Sequence, residues 1–312
     1  MGQNRGNMNI RSWFILAGLL CMMHAAAAEA QQDMAAVAGA MVGSRFTYAV
    51  RPGDSLTLIG ARFGIAPTVL ARTNAIKYSD LIYPDQILQI DNRHIVPEQL
   101  DNGILINLPQ RMLYYFQTGH LLADSPVGLG RPDWPTPEGR FRIIDLQENK
   151  TWYVPKSIQE EMQRESEVVK TEVPPGPDNP LGKYWIGLTL PGIGIHGTIA
   201  PASIYHFQSH GCIRLNPDDI EVLFQLVSRG QSGRIIYAPV LLAQMEDGRF
   251  FLEVNPDIYN RGIDPLASVA NAAQQHGWQD MLDWDKVQAV VRQHDGLAHE
   301  IGLPADGIKA AD

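Results

Sequence analysis

The run Ile195-His196-Gly197-Thr198, followed after a variable stretch by Ser209-His210-Gly211-Cys212-Ile213-Arg214-Leu215-Asn216, decides how this 312-residue chain is read. A strand over 193–196 ends on a histidine, and a helix opens just beyond a cysteine sixteen positions later. Asn216 stands at the N-cap and Pro217 at the first helical position. Ile220, Leu223, Phe224 and Val227 share one face of that helix before Gly230 stops it. A free thiol titrates near ~8.5, and a protonated histidine beside it lowers that value, giving a thiolate able to attack carbonyl carbon. Cys212 with His196 fits this chemistry. Gly211 leaves the backbone beside the thiol uncovered, so its N–H and that of Cys212 can face a developing oxyanion. The plainer reading is that Gly197 and Gly211 serve tight turns, and that Arg214 pairs with Asp218 or Asp219.

Working outward, residues 104–108 and 112–117 alternate as two strands joined across Pro109-Gln110 in hairpin fashion. Further strands are expected over 125–129, 140–145, 184–190, 193–196 and 234–240. Stiff Pro- and Gly-rich loops over 134–139 and 174–180 are placed to shape a cleft. Beyond 240, a strand over 250–254 and two helical patterns carry no chemistry, and a structural extension packed on the sheet is the preferred reading. A cap over the cleft that governs selectivity is the other.

Toward the N-terminus, Arg5 and Arg11 precede the apolar run 13–23, then small residues through Ala28. This is the layout of a secretory signal over residues 1–30, too short for a stable bilayer span of ~20 residues. Its removal takes Cys21 away and leaves Cys212 as the one thiol of an exported chain, so no internal disulfide is expected. Residues 31–43 read as a flexible, Ala-rich lead-in. The net charge of -9 comes with no basic stretch, which sets nucleic-acid binding aside.

Residues 46–92 read as strand, helix, helix, strand, a unit too small to carry much core. Tyr48, Val50, Gly53, Asp54, Ser55, Leu56, Phe63, Gly64, Asn74, Pro84, Gln86, Leu88 and Ile90 together resemble a LysM repeat. That resemblance implies a βααβ module binding N-acetylglucosamine-containing glycans such as peptidoglycan, with contacts near Gly53, Asp54 and Ser55 and around 82–85.

Residues 101–240, with the His-Gly and Ser-His-Gly-Cys motifs, resemble the L,D-transpeptidase catalytic domain (YkuD family). The fold so implied is a mainly β, sandwich-like domain carrying the LysM module in front and a partly helical extension, 241–312, behind. The resemblance implies Cys212 as acylated nucleophile, His196 as general acid/base and the Gly197 carbonyl as orienting group. It also implies Ser209, His210, Arg214 and Tyr184 at the substrate. The implied substrate is a peptidoglycan tetrapeptide stem, cut before its terminal D-Ala, in the periplasm. The acyl group passes to another stem's amine as a 3-3 crosslink, to a lysine of an outer-membrane lipoprotein, or to water. The aromatic loop 203–208 departs from the family and puts acceptor choice in question. A non-enzymatic wall-binding protein is the alternative from another class. Zinc held by His196, His206, His210 and Cys212 is a rival, but paired-ligand spacing is absent and no metal or other cofactor is expected. A papain-like protease would place its histidine far downstream of the cysteine, the reverse of this order.

Overall fold

A computed structural model describes residues 35–304; the signal segment and Cys21 lie outside the described residues. The main sheet has eight strands. In spatial order they are Ile213–Arg214, Gly194–His196, Tyr184–Leu188, Gly139–Glu148, Ser232–Ile236, Gly103–Asn107, Met112–Gln117 and His120–Pro126. The near-continuous apolar runs of Gly103–Asn107 and Met112–Gln117 follow from burial on both faces. Ile104, Ile106, Leu113 and Tyr115 face one core with Ile186, Ile195 and Ile213, while Leu105, Met112, Tyr114 and Phe116 face a second. Ile220 and Leu223 of the helix Pro217–Leu226 close the first core. The long strand Gly139–Glu148 pairs with Ser232–Ile236 through its first half and with Tyr184–Leu188 through its second, with a bulge between Ile143 and Asp145. That bulge turns the sheet and carries the strands of the candidate site to its far edge.

The expected strand over 234–240 is in fact two. Pro239, which cannot donate to a ladder, separates Ser232–Ile236 from Val240–Gln244. The latter begins a second sheet ordered Ala36–Ala38, Val240–Gln244, Phe250–Val254, His299–Glu300. The lead-in read as flexible is therefore partly a strand, paired in parallel with Leu241, Leu242 and Ala243. Its partner lies some two hundred positions away, and local composition carries no trace of it. Helices Pro265–His276 and Trp284–Gln293 cover this sheet, burying Val269, Ala272 and Val287 against Leu242 and Leu252.

In the N-terminal module Arg45–Ala49 pairs antiparallel with Ile87–Asp91 around helices Leu56–Phe63 and Pro67–Thr73, in the expected element order. Gly64, at φ 71°, ends the first helix in the left-handed region where a side chain would be strained. One element was not foreseen. Trp152–Tyr153 pairs with Glu172–Val173, and the helix Lys156–Arg164 lies between them. This arm stands at the mouth of the cleft described next.

Candidate active site

Ile213–Arg214 is the edge strand of the main sheet and runs parallel to Gly194–His196, with Ile195 opposite Ile213 and His196 opposite Arg214. Side chains alternate along strands, so the buried Ile195 and Ile213 point into the core while His196, Arg214 and the preceding Cys212 share the other face. That face is the wall of a cleft of about 1020 Å³. His196, Cys212, Ser209, His210 and Arg214 all line it, together with Trp134, Trp152, Tyr153 and Trp185.

His196 is buried, and its Nδ1–H donates to the Gly197 carbonyl at 2.6 Å, leaving Nε2 as the basic nitrogen. Trp185 is its cross-strand partner and stacks on the imidazole, with ring centroids 5.8 Å apart and planes 21° apart. Lys150 Nζ stands 5.6 Å over the outer side of that indole. Burial, and next the Arg214 guanidinium, lower the His196 pKa to about 4 against the pull of the Gly197 and Leu181 carbonyls. Burial also pushes the Cys212 thiol up, partly offset by the Gly194 backbone and by Arg214. The resting pair is thus thiol and neutral imidazole, where the sequence suggested thiolate and imidazolium. The reason is that neither group has a carboxylate to support a positive imidazole.

The loop carrying the thiol is fixed by its own polar atoms. Gly211 N–H donates to Ser209 Oγ (3.2 Å), Ser209 O–H to the Cys212 carbonyl (2.5 Å), and Thr136 O–H to the Gly211 carbonyl (2.9 Å). Gly211 adopts φ 99°, and a Cβ there would stand 3.0 Å from Ile193 Cδ1. Ser209 therefore shapes the loop, and it occupies the Gly211 N–H that the sequence reading assigned to an oxyanion. His210 Nε2 hydrogen-bonds Glu161 of the arm helix, which also takes Arg131 at 2.5 Å, and Trp134 meets the His210 ring edge-on at 5.3 Å. Arg214 has no salt bridge among the described residues; Asp219 instead accepts from Asn216 Nδ2 at 3.3 Å. The Arg214 guanidinium lines the cleft.

Two expectations are corrected. Tyr184 does not line the cleft: its ring lies in the main core against Phe224, and its hydroxyl donates to Glu221 at 2.8 Å. Alternation puts its neighbour Trp185 on the cleft side, and the pairing of 184–188 with 194–196 around Pro191-Gly192 is the signal that could have found it. The loop aromatics also turn inward. Tyr205 is fully buried beneath Arg111, whose guanidinium lies 3.8 Å from the ring centroid, and Phe207 packs on Tyr259, so both anchor the loop away from the cleft. Lys150 and Glu161 were missed as well, because that stretch has no periodicity tying it to the motifs, whereas the loop 134–139, expected to shape a cleft, lines it with Trp134, Pro135 and Pro137. Among the described residues no group of three or more His, Cys, Asp or Glu side chains is arranged to hold a metal ion.

In the N-terminal module the side chains expected to meet glycan are engaged internally. Asp54 accepts from Tyr48 O–H (2.6 Å), the Arg51 N–H (2.8 Å) and Arg62, and Ser55 caps the first helix by accepting from the Leu58 N–H (3.2 Å). Gly53, at φ 87°, has open space around it. The Asp85 N–H donates to the Val50 carbonyl (2.9 Å), which holds the 82–85 loop beside this turn, with Leu81 and Tyr83 exposed.

The chain is similar in sequence to known proteins over most of its length. The model of the L,D-transpeptidase catalytic domain (YkuD) matches residues 101–240, and that of the LysM domain matches residues 48–91. The chain is 31% identical over 281 residues to the "Probable L,D-transpeptidase ErfK/SrfK" of Salmonella typhimurium, covering 86% of this chain and 90% of that one. It is 28% identical over 268 residues to the "Probable L,D-transpeptidase YcfS" of Escherichia coli, covering 84% and 83%. Against the solved structure of L,D-transpeptidase 3 from Mycobacterium tuberculosis the TM-score is 0.35 at 14% identity, over 65% of this chain and 95% of that one. With both domains matched in sequence and a relative above 30% identity covered almost throughout, the chain belongs to the L,D-transpeptidase family.

Proposed function

We propose that this protein is a periplasmic cysteine acyltransferase that remodels peptidoglycan. The observation that carries the reading is that Cys212, just ahead of the edge strand, and His196, on the strand beside it, share one face that opens into a cleft large enough for two peptide segments. The donor is a tetrapeptide stem. As Cys212 Sγ attacks the carbonyl of the third residue, its proton passes to His196 Nε2 and an S–C bond forms. The oxyanion is received by the Cys212 N–H, joined by that of Gly211 once Ser209 Oγ turns away. Collapse breaks the C–N bond, His196 protonates the leaving D-Ala amine, and a thioester remains. An acceptor amine then attacks the thioester and gives a proton to His196, a new C–N bond forms as the S–C bond breaks, and His196 returns that proton to the departing Cys212 thiolate. Arg214 supplies a positive charge for a stem carboxylate, and Trp185 with the arm keeps water off the imidazole.

A neutral resting pair suits this sequence. No proton is committed until the substrate carbonyl is in place, and the imidazolium forms only beside the charge it neutralises. The acceptor is an amine of a second stem or a lipoprotein lysine. The LysM domain holds the glycan, with Tyr83 and Leu81 beside the Gly53 turn offering apolar surface to sugar rings. The leader over 1–30 exports the chain; among the described residues no helix is long and apolar enough to cross a membrane.

Intact-mass spectrometry of the protein with a disaccharide-tetrapeptide, beside Cys212→Ala, tests the proposal. Loss of D-Ala with a Cys212-dependent adduct and a crosslinked product is the expected result. Glycan binding with no turnover would leave a wall-binding protein, and an adduct released only as free tripeptide would make water the acceptor.

A further inference from the structure

The unit after residue 240 contributes no side chain to the cleft described above, yet it makes fully buried polar contacts with the rest of the chain. Glu253, in the middle of the strand Phe250–Val254, is fully buried. Its carboxylate accepts from the His94 ring (3.1 Å) and the Ile95 N–H (2.7 Å) in the strand leaving the LysM domain. It also accepts from Gln110 (2.9 and 3.0 Å) at the first hairpin of the catalytic sheet and from Asn255 (3.1 Å). The other nitrogen of His94 lies 2.8 Å from the carbonyl of Gly64, at the end of the first LysM helix. One carboxylate thus gathers donors from all three parts of the chain.

Further along, Asp295 takes Arg72 of the second LysM helix at 2.6 Å, and the Ala298 N–H donates to the Arg93 carbonyl at 3.0 Å. Between them, Leu297 inserts into the LysM core beside Ile59, Leu70 and Leu88. The LysM domain also lies directly on the catalytic domain. Asn216 Nδ2 donates to the Ala61 carbonyl at 3.3 Å, and a Cβ on Gly64 would stand 3.2 Å from Met112 Sδ and 3.3 Å from Pro126 Cγ.

We infer that the C-terminal unit is a splint that holds the LysM domain in one fixed register against the catalytic cleft, so that a glycan strand on the LysM domain presents its peptide stem to Cys212. A LysM domain on a loose linker raises local concentration whatever its orientation. A fixed one adds direction, and its benefit exists only for a substrate whose stem is still attached to a polymeric strand. The inference rests on the glycan-binding reading of the LysM domain.

The test uses Arg72→Glu and Glu253→Gln in the full chain, with Arg72→Lys as the conservative control. Opening of the junction is read as faster hydrogen exchange at the Ile95 and Ala298 amides. Turnover is compared on intact sacculi and on soluble disaccharide-tetrapeptide, and glycan binding is read with a chitooligosaccharide. The two loosened variants are expected to keep soluble turnover and chitooligosaccharide binding while losing about tenfold or more on sacculi, a loss Arg72→Lys does not share. Sacculus turnover that survives an opened junction overturns the inference. So does exchange that stays slow in both variants, or a parallel fall on both substrates, which would make the unit a support of the catalytic fold alone. A wild-type protein that binds neither chitooligosaccharide nor sacculi defeats the glycan-binding reading itself, and is told apart by that result.

Discussion

Among the described residues two histidines are buried, and their surroundings drive them in opposite directions. His94 sits between the Gly64 carbonyl and the Glu253 carboxylate; burial works against its charged form, but Glu253 outweighs it and the pKa is raised. His196 has carbonyls, a stacked indole and a guanidinium across the strand pair, and its pKa falls to about 4. The same side chain at the same depth is a charged rivet in one place and a neutral base in the other. What differs is a carboxylate. Where the fold needs a fixed joint it supplies the counter-charge; where a proton must move it withholds one.

His196→Asn gives the largest expected effect. Turnover should fall about 10³-fold or more, since the general base is gone, while resistance to urea stays level or improves because a destabilised imidazole has been removed. Glu253→Ala should do the reverse. His94, Ile95 and Gln110 lose their acceptor together, which is expected to cost about 3–5 kcal/mol in urea unfolding, with the activity per folded molecule on soluble substrate retained. A stability loss at His196 or an activity loss at Glu253 would erase the distinction between the two sites. Third, alkylation of Cys212 by iodoacetamide should quicken by about tenfold per pH unit from pH 6 to 8, without a plateau, as a neutral pair requires. A rate already flat across that range would mean a thiolate–imidazolium pair at rest.

Part of this was legible in the sequence for a physical reason: Cys212, His196 and Gly197, to which the family resemblance lends the roles proposed above, lie in two short strand-and-turn motifs whose periodicity fixes which side chains share a face. The LysM module was legible through the resemblance its residues carry, and Gly64 marked the end of its first helix in local chemistry; the capping role of Ser55 emerged only from the structure. What escaped depends on distant pairings. Trp185 reaches the site only because 184–188 and 194–196 form a hairpin, and Tyr184, which the resemblance put at the substrate, stands one residue away on the opposite sheet face. Glu161 arrives on an arm with no pattern of its own. Ala36–Ala38 became a strand only because Val240–Gln244 offered an edge.

Fourth, the two histidines should oppose each other in the pH dependence of stability. For His196, whose folded pKa of about 4 lies below the ordinary 6.5, the unfolded chain binds the extra proton between those values. Its contribution therefore costs about 2 kcal/mol at pH 5 and almost nothing at pH 7. His94, with a raised folded pKa, contributes stability that is fully present below 6.5 and is lost as pH rises through the folded value. Urea unfolding of the wild type, His196→Asn and His94→Gln at pH 5, 7 and 9 separates them. His196→Asn should gain relative to the wild type at pH 5 alone, and the deficit of His94→Gln should shrink toward pH 9.

The smallest expected effect isolates what keeps His196 neutral. Gly194 is two residues before His196 on the same strand face, and a Cβ there would lie 2.4 Å from the Trp185 indole. Gly194→Ala must therefore push the indole aside, uncovering the imidazole while Cys212, His196, the Gly197 carbonyl and the residue-194 backbone that meets the thiol are all retained. Water reaching the ring lowers the cost of its charged form, so the acidic limb of kcat/KM should rise from about 4 toward 6.5 by about one unit, with turnover at pH 8 reduced only several-fold. If the limb stays near 4 with the indole displaced, the Arg214 charge rather than the indole's exclusion of water holds the base neutral. Arg214→Met would then move the limb where Gly194→Ala did not.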